Sequence, residues 1–143
     1  MSALNPSDIS AEDFAKLISD SSDEQIIETV HATGTGNVLD RVFAVMQESF
    51  VPDRAQGVNA VAQFTIRDGD ESHVYHLTIA NGTCATAAGA AESPNVSMGV
   101  DLLNYLKLIS GKANGPMLFM GGKLQVQGDF MLAQRLMAFF DTP

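Results

Sequence analysis

The side chains able to do chemistry are few and poorly matched to one another. Three histidines, His31, His73 and His76, are the candidate bases or metal ligands. His73 and His76 lie an odd number of positions apart in a stretch that alternates as a strand. Their imidazoles therefore leave opposite faces and cannot readily clasp one metal ion. Surface histidines are expected at both positions, and at His31 near a helix end. Cys84 follows a turn and has no histidine or basic neighbour to stabilise a thiolate, so it reads as a small buried side chain. No serine occupies a G-x-S-x-G elbow. Gly34-Thr35-Gly36 fits neither G-x-x-x-x-G-K-[ST] nor G-x-G-x-x-G, and no strand precedes it, so it reads as a loop. Asp68 and Asp70 fall in a turn, where solvated acids are ordinary. An isomerase or hydratase acting on an apolar substrate would have only Tyr75 and Asp101 to work with. The expectation is no catalytic residue and no metal.

The elements that carry these groups follow from the spacing of apolar residues. Ser10 with Asp13, then Ser22 with Gln25, resemble capping boxes ahead of two short helices bearing Phe14, Leu17, Ile18 and Ile26, Ile27, Val30. Asn37 is the expected N-cap of a third helix with a Val38, Leu39, Val42, Val45, Met46 stripe, closed by Pro52. The period then changes from 3.6 to 2. Ala60, Ala62, Phe64 and Ile66 share one face of a strand, Asp68-Gly69-Asp70 turns, and His73, Tyr75, Leu77 and Ile79 share a face of the next. Asn81-Gly82 is the strongest hairpin signal, and the small residues Thr83 to Ala88 suit an edge strand.

Beyond Pro94, Val96, Met98 and Val100 alternate in a fourth strand. Asp101 caps a helix with Leu102, Leu103, Leu106 and Ile109 on one side, stopped at Gly111. Pro116 opens a short helix through Met120, Gly121-Gly122 ends it, and Leu124 and Val126 mark a fifth strand. After Gly128-Asp129, Phe130, Ala133, Met137 and Phe140 form the stripe of a last helix, which Leu132, Leu136 and Phe139 broaden. This order is α+β, or mixed α/β, with helices packed on a sheet.

Composition narrows the function. At 143 residues with 45% hydrophobic content, the chain is one folded domain. Eight Lys and Arg among seventeen acids leave a net charge of −9 and no phosphate-neutralising stripe, which excludes nucleic acid as a partner. The acidity is concentrated at the start: residues 1–53 hold ten acids and two bases, residues 98–143 three acids and four bases. The last segment also holds five of the seven methionines and four of the eight phenylalanines, which makes it the place for an apolar or anionic guest. Met1 to Asp13 lack the basic start and apolar stretch of a signal peptide, and no apolar run is long enough to span a bilayer. With a lone cysteine, this makes cytoplasm the expected location.

Met117, Leu118, Phe119 and Met120 are four apolar residues in succession, about twice what one side of a helix can bury in a core. Around them stand Gly111-Lys112-Ala113-Asn114 and Gly122-Lys123-Leu124-Gln125-Val126-Gln127-Gly128-Asp129. Together with Asp68-Gly69, Tyr75-His76-Leu77-Thr78-Ile79 and Asn81-Gly82 upstream, this order resembles the sterol carrier protein 2 (SCP2) family over about residues 38–141. The resemblance implies a five-stranded, mostly antiparallel sheet with helices over one face, enclosing a hydrophobic tunnel. It implies noncatalytic binding of sterols, fatty acids, fatty acyl-CoA or phospholipids, without a cofactor.

Carried over by position, the implied lining is Phe43, Met46 and Phe50 from the third helix and Phe64, Tyr75 and Leu77 from the sheet. Leu103, Leu106, Met117, Phe119, Met120, Phe130, Met137 and Phe140 complete it. Lys107, Lys112, Lys123 and Arg135 are candidates to meet a carboxylate or phosphate at the mouth. Residues 1–37 are expected to be an N-terminal helical extension packed on a domain of residues 38–143. The end Asp141-Thr142-Pro143 is no S-K-L signal, so peroxisomal delivery by that route is not expected. Transient membrane contact and a homodimer are further expectations. The alternative reading is an interaction or dimerisation domain that serves a lipid-metabolising enzyme.

Overall fold

The computed structural model describes residues 11–140 except 111 and 114, with the side chains of 11–15 and 137 outside the description. The expected cap at Ser10, the Phe14 contact, the stop at Gly111 and the Met137 side chain therefore lie outside the described residues, as does the chain end. Three helices come first: α1 (Ala11–Asp20), α2 (Asp23–Thr33) and α3 (Thr35–Glu48). The capping box at Ser22 forms as read. Ser22 Oγ accepts from the Gln25 amide, and Gln25 Oε1 accepts from the Ser22 amide.

The third helix starts three residues earlier than its sequence suggests. Gly34, at φ +101°, reverses the chain between α2 and α3, a conformation that favours glycine. Thr35 and Gly36 are consequently helical and not a loop, and Asn37 is not the cap; its side-chain amide donates to Thr33 O. The Thr35 hydroxyl is committed elsewhere, to Asp68 on the sheet, at 2.8 Å.

The strands are β1 (Ala60–Asp68), β2 (Glu71–Ala80), β3 (Thr83–Ala88), β4 (Val96–Asp101) and β5 (Leu124–Gly128), in the order β3-β2-β1-β4-β5. Only β1 and β4 pair in parallel; the other three ladders are antiparallel. Asn81 and Gly82, at φ +53° and +73°, make the two-residue turn that the Asn-Gly pair foretold. The small-residue strand β3 is an edge, as read. Register places Phe64 opposite both Tyr75 and Met98, and Met98 opposite Val126, so these apolar side chains share one face.

Helices α4 (Leu102–Ile109), α5 (Gly115–Met120) and α6 (Phe130–Leu136) follow, with a 3₁₀ turn at Met137–Phe139. All of the helices cover the apolar face, and Ile18, Ile26 and Val30 of α1 and α2 join the same buried cluster as the sheet. On α4 the buried stripe is Leu102, Tyr105, Leu106 and Leu108, with Leu103 and Ile109 only half buried. This corrects the sequence reading, which passed over Tyr105. On α6 the inward side is Leu132 and Leu136, continued by Phe139 and Phe140, while Phe130 lies at the rim. Tightening the last turn to 3₁₀ geometry swings Phe139 and Phe140 inward, where Phe140 bridges to Phe50 and the Val51 amide donates to Phe139 O. Among the described residues, no helix is long and apolar enough to cross a membrane.

Candidate functional site

A cavity of about 600 Å³ lies between one end of the sheet and the last three helices. Phe64 of β1, Met98 and Val100 of β4 and Leu124 and Val126 of β5 form its floor. Tyr105 and Leu108 of α4, Gly115, Pro116, Phe119 and Met120 of α5, and Phe130, Ala133, Gln134 and Leu136 of α6 form its walls, with Ala113 and Ala138 beside them. Among the described residues no lining side chain is charged, and Tyr105 and Gln134 are the only polar ones. The void follows from α5, a six-residue helix with no buried residue. It touches the sheet at β5 and rests Leu118 against the core, but its six residues are too few to fill the space beneath it.

Met120 of the lining is 85% exposed, and Met117 and Met131 on the same helices, α5 and α6, are 72% and 65% exposed. Of the four cations considered for the mouth, Lys107 pairs with Asp23 at 3.0 Å and Lys112 Nζ donates to Ile18 O at 3.3 Å. The Arg135 guanidinium lies over the Phe139 ring at 5.6 Å. Lys123 is exposed next to Leu124 of the floor.

Of the lining residues carried over by resemblance, Phe64, Phe119, Met120 and Phe130 reach this cavity. The Met137 side chain lies outside the described residues, and the others are placed differently. Phe43 is buried and stacks on Tyr75 at 4.4 Å and on Tyr105 at 5.6 Å; Met46, Leu77 and Leu106 are buried beside this stack. Phe50 and Phe140 pack against each other at 5.8 Å, Leu103 is half buried against the core, and Met117 faces outward. The reason is geometric: α3 lies over β1 to β3 and fills that half of the sheet, so the space is left over β1, β4 and β5. Met98, Val100, Leu124 and Val126 were visible as alternating apolar residues. The signal that marks them as lining is their register with Phe64, which the sequence does not print.

The groups singled out as candidates for catalysis are occupied. The Tyr75 hydroxyl donates to Asp40 Oδ1 at 2.6 Å; burial first, then the Asp40 hydrogen bond and charge, pushes its pKa above the ordinary tyrosine value. Tyr105 donates to Met46 Sδ at 3.1 Å, and its pKa is likewise raised, by burial and then by Tyr75. Asp101 caps α4 by accepting from the Asn104 amide. Cys84 is half buried, and burial pushes its thiol pKa up to about 11.

His73 and His76 do leave opposite faces, and His76 Nδ1 donates to Gly89 O at 2.9 Å. Asp68 is not the solvated turn acid that its position suggested. Its side chain is 13% exposed and receives both His31 Nε2, at 2.9 and 3.0 Å, and the Thr35 hydroxyl. Burial alone would raise its pKa, but the hydrogen bonds from His31 and Thr35 and the charge of His31 bring it below the ordinary carboxylate value.

A family model described as the SCP-2 sterol transfer family matches residues 39–141. The oleate-induced peroxisomal protein POX18 of Candida maltosa is 34% identical over 96 residues, covering 65% of this chain and 75% of that protein. Of several longer, dehydrogenase-like relatives the chain spans only 24%. Among solved structures, sterol carrier protein 2 of Yarrowia lipolytica in its apo form has the same fold, with a TM-score of 0.59 at 20% identity. That match covers 73% of this chain and 88% of the other. The palmitated SCP2L2 of Aedes aegypti aligns with a TM-score of 0.52 at 25% identity, over 69% of this chain and 83% of that one. The fold, the one-sided helical cover and the matched residues therefore make this chain a member of the SCP-2 sterol transfer family.

Proposed function

We propose that the chain binds a single lipid, such as a fatty acid, fatty acyl-CoA or sterol, in the cavity between β1, β4, β5 and α4 to α6, and performs no covalent chemistry on it. The observation that carries this reading is the cavity itself: about 600 Å³ of apolar space with no charged side chain among the described residues that line it. The palmitate named with the Aedes aegypti structure is a ligand of that class. At ~0.8 kcal/mol per buried methylene, a chain of about sixteen carbons gains on the order of 13 kcal/mol before immobilisation costs. Binding at micromolar concentration or tighter survives losses of several kcal/mol.

Delipidated protein should take up a fluorescent fatty acid saturably, and unlabelled lipid should compete it out. A folded sample that takes up none rejects the proposal. In this reading Lys123, exposed beside Leu124, meets an acidic headgroup, and the exposed Met117, Met120 and Met131 make brief contact with a bilayer. The same methionines would serve the second reading, a homodimer or a docking module for a lipid-metabolising enzyme; sedimentation with and without lipid separates the two. Our reading also takes residues 1–37 as an extension of the domain at 38–143. It places the chain in the cytoplasm, although the Candida maltosa relative is named as peroxisomal. Cell fractionation tests that placement.

A further inference from the structure

Away from the cavity, Asp68, Glu71 and His73 meet at one corner of the sheet. Asp68 ends β1, Glu71 opens β2, and the two stand directly opposite each other in the antiparallel register. Like charges in that arrangement repel, and a cation between them removes the penalty. His73, two positions along β2, points to the same face as Glu71. One potential ligand atom from each of the three lies within 4.8 Å of the others.

The His73 Nε2 atom is buried and has no hydrogen-bond partner among the described residues. Glu71 Oε2 stands 3.7 Å from it, too far for a hydrogen bond. That spacing suits a shared ion: with bonds of about 2.1 Å at tetrahedral angles, two ligand atoms lie about 3.4 Å apart. A water-sized sphere does not reach Nε2, whereas the centre of a dehydrated ion would sit closer than water can. Asp68 is already oriented by His31 and Thr35, the kind of outer support that fixes a ligating carboxylate. The Glu71 side chain, 76% exposed, leaves a side open for entry.

We propose that Asp68, Glu71 and His73 bind one divalent transition-metal ion of the zinc type, with His31 and Thr35 holding the Asp68 carboxylate and solvent completing the coordination. The imidazole in the donor set disfavours magnesium and calcium, which take oxygen ligands, and the absence of sulfur disfavours copper(I). The ion neutralises the paired acids and fastens the β1–β2 turn, which Asp68 in turn ties to α2 and α3 through His31 and Thr35.

The test uses the metal-free full chain without added histidines. Zinc is titrated calorimetrically, and cobalt(II) is followed by its visible absorption. One equivalent should bind, with cobalt bands characteristic of four-coordination, and zinc should raise the melting temperature. Glu71→Gln, an exposed change that leaves folding intact, and His73→Ala should each abolish the one-equivalent isotherm. His31→Ala should weaken it about tenfold. Circular dichroism and lipid uptake serve as folding controls, because none of these residues touches the lipid cavity. Absence of one-equivalent binding in the intact chain up to millimolar metal overturns the proposal. So does binding that persists in a Glu71→Gln, His73→Ala double variant that still takes up lipid.

Discussion

Phe119 and Phe130 meet edge to face with ring centroids 4.9 Å apart, joining α5 to α6 across the cavity that both rings line. Such a pair adds about 0.5–1.5 kcal/mol beyond its area burial. It is an aromatic contact of a helix with no buried residue, and the expectation is that it slows escape of a ligand past α5. Phe119→Ala should raise the lipid dissociation rate about three- to tenfold while lowering the melting temperature by only a few degrees. Stopped-flow transfer of a fluorescent fatty acid to vesicles measures the rate, and an unaltered rate would remove this gating role.

Core and cavity can be told apart by opposite substitutions. Phe43, 2% exposed and stacked between two tyrosines, should cost about 3–5 kcal/mol when replaced by alanine. Ala133, half buried on the cavity wall, should tolerate tryptophan, whose ring occupies the void. Lipid affinity should then fall about tenfold or more at little cost in stability. Urea denaturation paired with lipid titration checks both, and a Phe43→Ala protein that is stable but cannot bind would move the ligand to the α3 side.

Gly128 ends β5 at φ +96°, and a Cβ there would stand 2.5 Å from Asn95 O. Gly128→Ala should therefore destabilise by roughly 2–3 kcal/mol through backbone strain and displacement of the β4–β5 pair. Thermal melting gives the value, and a loss below about 0.5 kcal/mol would show that the chain relaxes freely there.

Cys84 predicts a pH profile. With its pKa raised by burial from 9.0 to about 11, the folded thiol at pH 8 should react with iodoacetamide on the order of a hundredfold more slowly than a free cysteine. In the unfolded chain the thiol ionises at lower pH. Its contribution to stability is thus full below about pH 9 and is lost as the pH rises toward 11. Alkylation rates from pH 7 to 11 are the measurement, and a midpoint near 9 would contradict the burial.

Much of the fold could be read from local chemistry. Asn81-Gly82 turns because both residues adopt positive φ, Ser22 and Gln25 cap each other, and Asp101 caps α4. The alternation in Phe64 to Ile66 and Tyr75 to Ile79 named the buried face of each strand correctly. Where a side chain served a distant partner, local reading failed. Thr35 and Asp68 looked like a loop residue and a turn acid; instead they meet across 33 positions of sequence.

The sequence by itself determined which segments are helix or strand, which strand faces are apolar, and that the last third holds more greasy surface than one core needs, because these depend on residues a few positions apart. Only the tertiary structure decided that Phe43 of α3 packs on Phe64, Tyr75 and Thr86 while a cavity opens between β1, β4, β5 and the last three helices, and that Asp68, Glu71 and His73 face one another. Cavities and clusters are set by register and by how far one element sits from another, and those distances arise from the packing of the whole chain and not from any window of it.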